Sequence, residues 1–257
     1  MDIVNKIKGK FTPLSAENRY YKWALILVVS RCVLLLFFQG LLASFFYFKG
    51  IQNPWGSAAK WWTVYGTAVD LSCLLLLFFA LKAEGKELLS LLDFSKKKLL
   101  KDVKNGLLVA IVIFPLLGFL FSVWTASFIF NESTLELILG RLAERRLPAW
   151  AYYYSITIWW VIWSVTEEMT YQGFGLPRLL GRYGRIKVIL LIAFFWALQH
   201  SFLPLLLDWR YILWRFVSFF PLVLALIVSY LKIGRLTPII FAHALMDIMA
   251  AIWTFEA

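Results

Sequence analysis

The sequence predicts an all-α fold, a polytopic bundle of about seven transmembrane helices, or eight, with its N-terminus in the cytosol. Three observations carry this. Of 257 residues 61% are hydrophobic and 18% aromatic, and the mean hydropathy of +0.75 lies outside the range of an ordinary soluble domain. Seven stretches reach the roughly 20 apolar residues a spanning helix needs, at about 23–48, 61–81, 106–130, 148–171, 186–206, 209–231 and 237–255. The 26 Lys and Arg are also distributed unevenly: alternate segments collect 18 of them and the segments between collect six, with Arg31 and Arg215 inside spans. That asymmetry fits the positive-inside rule better than a nucleic-acid surface, so no nucleic-acid partner is expected and membrane lipids are.

Taken in order, residues 1–22 form a basic cytosolic tail and residues 23–257 a single helical membrane domain. The first span is too long and too apolar for a cleaved leader and reads as a retained helix. Cys32 and Cys73 fall within spans, which implies packing rather than a disulfide or a metal knuckle. Residues 86–105, KELLSLLDFSKKKLLKDVKN, alternate Leu pairs with Lys and fit either a helix on the anionic leaflet or a solvated basic loop. STLELILGRLAERR offers Ser133 and Thr134 as caps for a short outer helix. Pro115 and Pro221 sit inside spans and read as kinks.

Charged residues in hydrocarbon cost about 2.5 to 3.5 kcal/mol each on insertion scales, so they turn toward a cavity or a partner. The spans hold Arg31, Asp70, Glu167, Glu168, His200, Arg215, His243 and Asp247, which include both histidines of the chain. Arg31 and Asp70 suit an ion pair between the first two helices. His243 and Asp247, four apart, share one helix face. Glu167 and Glu168 are neighbours, so they point about 100° apart and suit different tasks: one as a base toward water, the other held by a partner. At about 1.5 Å per residue, Glu167 and His200 lie about 20 and 21 Å from the inner ends of their helices. His243 lies only about 12 Å beyond Arg235, so the last helix must tilt or start displaced.

This constellation resembles the CPBP (CAAX-protease and bacteriocin-processing) intramembrane endopeptidases, a family that includes the type II CAAX prenyl proteases. The family's Glu-Glu-x-x-x-Arg, Phe-x-x-x-His and His-x-x-x-Asn/Asp motifs correspond to Glu167-Glu168-Met169-Thr170-Tyr171-Gln172, Trp196-Ala197-Leu198-Gln199-His200 and His243-Ala244-Leu245-Met246-Asp247. The resemblance covers about residues 150–250, the expected catalytic core. Two positions depart. Gln172 replaces an Arg that would neutralise Glu168 one turn away, so either Glu168 is protonated or Arg31, Arg215 or Arg178 substitutes. Trp196 replaces a Phe, a change read as packing.

The resemblance implies a multi-pass, metal-free peptidase in which Glu167, assisted by His200, activates water against a peptide carbonyl, while His243 and Asp247 hold the oxyanion. Glu168 completes the catalytic set, with Gln172 and Trp196 in support. The substrate would be a membrane-associated or lipidated peptide or protein. Three rivals stand beside this reading. Glu167, His200, His243 and Asp247 form an acceptable zinc set, although no His-Glu-x-x-His pair is present. A scaffold of the same fold could have lost catalysis. A transporter could use the same residues as a proton relay. Short connections and the lack of organelle signals favour a prokaryotic plasma membrane. Substrate identity and oligomeric state are not written in the sequence.

Overall fold

A computed structural model describes residues 20–130 and 147–254, and among these every regular element is helical. α1 (Tyr21–Phe48) buries a stripe of Ala24, Leu27, Val28, Arg31, Leu35 and Gln39 and leaves Phe37, Phe45 and Phe48 exposed. The three-to-four spacing of that stripe is the helical repeat, and the outward aromatics suit lipid rather than water. A short α2 (Pro54–Ala59), capped by the Asn53 side chain on the Gly56 N–H, leads to α3 (Trp62–Ala83). α4 (Leu99–Ile113) passes through a π-helical segment, 114–120, into α5 (Phe121–Phe130). Pro115 stands at the start of that segment, where its missing N–H breaks the regular ladder.

The next helix is a broken rod running from 149 to 180. It comprises α6 (Ala149–Tyr154), a π segment at 155–159, α7 (Trp160–Glu168), a second π segment at 169–175, and α8 (Leu176–Leu180). Pro177 cannot donate to the carbonyl of Gly173, which accounts for the wide turn just before it. α9 (Arg185–Ser201), α10 (Trp209–Ile233) and α11 (Thr237–Thr254) complete the bundle. α10 ends at Gly234 with φ 69°, a left-handed C-cap that glycine adopts without a Cβ penalty. Four stretches, Tyr21–Phe48, Trp62–Ala83, Leu88–Phe130 and Trp209–Ile233, are long and apolar enough to cross a membrane, and Thr237–Ile252 is a shorter apolar helix. Cys32 and Cys73 are buried and free.

The start of α11 is determined by tertiary contacts. Asp93 accepts from the Leu236 N–H at 2.9 Å, the Thr237 N–H at 3.0 Å and the Thr237 hydroxyl at 2.6 Å, satisfying donors that a helix leaves orphaned. Arg235 reaches the Asp93 carbonyl and forks onto buried Asp102 at 2.5 and 2.9 Å. These contacts overturn the reading of 86–105 as one surface helix or one solvated loop. The segment makes two 3₁₀ turns, at Leu88–Leu91 and Lys96–Lys98, and becomes α-helical only at Leu99. Its carboxylates are spent on the 235–237 corner, and that geometry breaks the helical repeat of its Leu and Lys residues. The expected outer helix after Ser133 and the basic tail lie outside the described residues.

A second clamp closes the end of α8. Arg178 forks onto Glu84 at 2.5 Å through both Nε and Nη2, donates to the Phe174 carbonyl at 3.0 Å and lies 3.6 Å from the centre of the Phe174 ring. Burial alone would raise the Glu84 carboxyl, but the Arg178 fork and Lys86 outweigh it and hold Glu84 below the usual carboxylate range. A depressed folded value contributes stability that is present above the unfolded value of about 4.5 and is lost as pH falls through the folded one. Thermal unfolding in detergent should therefore give Glu84→Gln a lower melting temperature than wild type at neutral pH, with the gap closing in acid. A gap independent of pH refutes the assignment.

Candidate active site

Glu167 and Glu168 end α7, just before the second π segment, and both are fully buried. Their side chains diverge as neighbours on a helix must. Glu167 faces α1 and α9. Its Oε1 accepts from Arg31 Nη2 at 3.3 Å and from the Gln199 amide, and its Oε2 accepts from the Trp196 indole at 2.6 Å. Glu168 faces α11, where its Oε1 lies 3.0 Å from His243 Nδ1 and its Oε2 has no hydrogen-bond partner among the described residues. The other ring nitrogen of His243 lies 3.6 Å from Glu167 Oε2 and 3.5 Å from Asp247 Oδ2. One imidazole thus touches both adjacent carboxylates and the acid one turn below it.

A cavity of about 180 Å³ opens beside this group. Trp196, His200, Arg215, His243 and Asp247 provide its polar wall, and Phe114, Trp163, Trp214, Phe219 and Leu222 much of the rest. His200 stacks on Phe219 with ring centres 3.9 Å apart, and Arg215 donates to the carbonyls of His200 and Leu203 at 3.1 and 3.2 Å. Those two bonds satisfy carbonyls at the C-terminal end of α9 and match a cation to the negative end of that helix.

The five residues expected to be catalytic therefore divide. Glu167, Glu168, His243 and Asp247 form one contact group, whereas His200 occupies the cavity wall without a side-chain hydrogen bond to Glu167 among the described residues. The imidazole against Glu167 is His243, not His200. None of the cations expected to replace the missing Arg pairs with Glu168: Arg31 engages Asp70 and Glu167, Arg178 engages Glu84, and Arg215 engages backbone carbonyls. His243 takes that place instead. Gln172 is buried with neither amide atom bonded, so it contributes nothing to Glu168 through a hydrogen bond. Trp196 is more than packing, because its N–H holds Glu167 and a Phe ring would supply no donor. Among the described residues no three His, Cys, Asp or Glu side chains are arranged to hold one metal ion.

One contributor had escaped the sequence reading, and another had been given too small a part. Gln199 accepts from Arg31 Nε at 2.8 Å and from the Tyr171 hydroxyl at 2.9 Å while donating to Glu167, so it joins three helices at one carboxylate. Arg31 also exceeds its expected role. Its ion pair with Asp70, at 2.9 Å, joins α1 to α3 as anticipated, but the same nitrogen reaches Glu167. The available signal was an amide directly before a histidine inside an apolar run, FFWALQH.

No curated protein and no solved structure matches the chain. A family model, described as type II CAAX prenyl endopeptidase Rce1-like, matches residues 148–249. The matched segment runs from the start of the broken helix through Asp247, and so contains all five expected catalytic residues along with Gln172, Trp196 and Gln199. It supports intramembrane protease activity in general, and residues 148–249 are similar to the CAAX-protease family.

Proposed function

We propose that the protein is an intramembrane endopeptidase that hydrolyses a peptide bond of a membrane-associated or lipidated substrate with a water activated by Glu167. The observation that carries this is the convergence of Glu167, Glu168 and Asp247 on the single imidazole of His243 at the cavity wall. Hydrolysis of an amide needs a base for water, a donor for the developing oxyanion and a proton for the leaving amine. Glu167 meets the first need. Three donors fix its carboxylate, and Oε2 faces the cavity-lining imidazole.

His243 meets the second need. Glu168 orients it through Nδ1, while Nε2 stands too far from Glu167 and Asp247 for a good hydrogen bond and remains open to a carbonyl oxygen. In the reaction the water oxygen bonds to the carbonyl carbon as its proton passes to Glu167. The carbon–nitrogen bond then breaks as that proton passes to the amine. His200, on the same wall, is the second imidazole within the substrate's reach, and Asp247 holds the far side of His243. The aromatic remainder of the cavity suits an apolar substrate segment.

The test is cleavage of a quenched fluorescent peptide with a prenylated CAAX tail by the purified full chain in liposomes. Wild type should cleave it, and His243→Ala should lose about 10²- to 10³-fold in kcat, the loss expected for one preorganised oxyanion donor. Equal rates in the two proteins would end the proposal. Adding zinc after chelation in the same assay discriminates the metal-dependent alternative.

A further inference from the structure

The matched segment explains Glu167 only in part, because two elements outside it complete the surroundings of that carboxylate. Arg31, on α1, is fully buried, donates from Nη2 to Glu167 Oε1 at 3.3 Å and from Nε to Gln199 Oε1 at 2.8 Å, and pairs with Asp70 through Nη2 and Oδ1 at 2.9 Å. Its guanidinium also lies 4.4 Å from the centre of the Trp163 ring on α7. Asp70, on α3, is equally buried.

Charge makes this arrangement consequential. Glu167, Glu168, Asp70 and Asp247 place four carboxyl groups in one buried neighbourhood, where an uncompensated charge costs several kcal/mol. From within the matched segment the His243 imidazole lies against Glu167, Glu168 and Asp247. From the first helix the Arg31 guanidinium reaches Asp70 and Glu167.

A purely structural pair would end at Asp70. Here the guanidinium is shared, and its two contacts to Glu167 and Gln199 fix both sides of one carboxylate oxygen. Gln199 donates to that oxygen while accepting from Arg31 and Tyr171, so its amide orientation is dictated by the arginine. With Oε1 fixed in this way, Oε2 is turned toward Trp196 and His243. We propose that Arg31, braced by Asp70, is a positioning residue for Glu167: from a different helix it holds the carboxylate aimed at His243.

This rests on the protease reading, and the experiment separates the two. The full-length protein in liposomes is assayed on the prenylated CAAX-tail peptide as wild type, Glu167→Gln, Arg31→Gln, Arg31→Lys and the double variant Arg31→Gln with Asp70→Asn. Arg31→Gln should lose about 100-fold in kcat with KM unchanged. Arg31→Lys should recover part of that loss, since it keeps the charge but not the fork. The double variant removes both charges of the pair, so it should melt near wild type while kcat stays low. Wild-type kcat in the double variant overturns the proposal, because it reduces the pair to a structural strut.

If wild type and Glu167→Gln cleave equally, the protease reading fails, and infrared difference spectra then judge Arg31 alone. The carboxylate band lost in Glu167→Gln should shift in frequency in Arg31→Gln, because one carboxylate oxygen loses its guanidinium donor. A carboxylate band unchanged in Arg31→Gln overturns the proposal.

Discussion

Glu167→Gln will lower kcat for peptide cleavage by about 10³- to 10⁴-fold and leave the fold intact. The magnitude follows from general base catalysis, whose removal costs about 10²- to 10⁴-fold, and from the absence of a second carboxylate able to take over. Glu168 points to the other side of the helix and is engaged with His243 Nδ1. Asp247 touches His243 but not Trp196, Gln199 or Arg31, so it lacks the donors that keep a buried carboxylate charged. The Gln side chain is nearly isosteric, so KM should move little, but an amide that accepts from Trp196 turns its NH2 toward the Arg31 and Gln199 donors, so the melting temperature should fall without loss of the fold. The measurement is steady-state cleavage alongside thermal unfolding in detergent. A residual kcat within about tenfold of wild type would transfer the base to another group.

Gly106→Leu should have the largest effect on stability. A Cβ at residue 106 would lie 2.6 Å from the Pro238 carbonyl oxygen, 2.9 Å from Phe241 Cβ and 3.4 Å from the Ala242 nitrogen. The nearest of these neighbours is backbone, so no rotamer change removes the clash. With Ala110 one turn along, Gly106 forms the small-residue seam on which α4 and α11 pack backbone to backbone. Opposing this, any residue other than Gly or Pro gains up to about 1 kcal/mol in helix propensity. Overpacking costs about 1–3 kcal/mol and more where backbone must move, so the clash decides the sign. Gly106→Ala should lose stability, and Gly106→Leu should lose much more and carry activity down with it, because α11 bears His243. Thermal unfolding of both variants checks this, and a melting temperature raised in Gly106→Ala refutes the seam.

The acids and imidazoles of the candidate site were legible because charge is scarce in an apolar chain and each instance demands an explanation. Glu167, Glu168, His243 and Asp247 stood out by rarity and by helical spacing alone. Their partners were hidden for physical reasons. Gln199 and Tyr171 are uncharged and tolerable in a membrane helix, so composition does not flag them, yet Gln199 is the hub of the Glu167 network. Arg31 and Glu167 are 136 positions apart, and no periodicity connects residues on the first and fourth long helices. The indole N–H of Trp196 is invisible when an aromatic replacement is judged by size. The assignment of His243 rather than His200 to Glu167 depends on how α9 and α11 rotate, which follows from packing at Gly106 and from capping by Asp93.

That capping has a consequence for biosynthesis. The carboxylate that anchors the first turn of the last helix lies 143 positions ahead of the Leu236 amide it receives. Since translation proceeds from the N-terminus, the dock is made long before its guest leaves the ribosome. The helix bearing His243 is therefore the last element of the candidate site to be synthesised, and the contacts of Glu167 and Glu168 with its imidazole form only once it arrives.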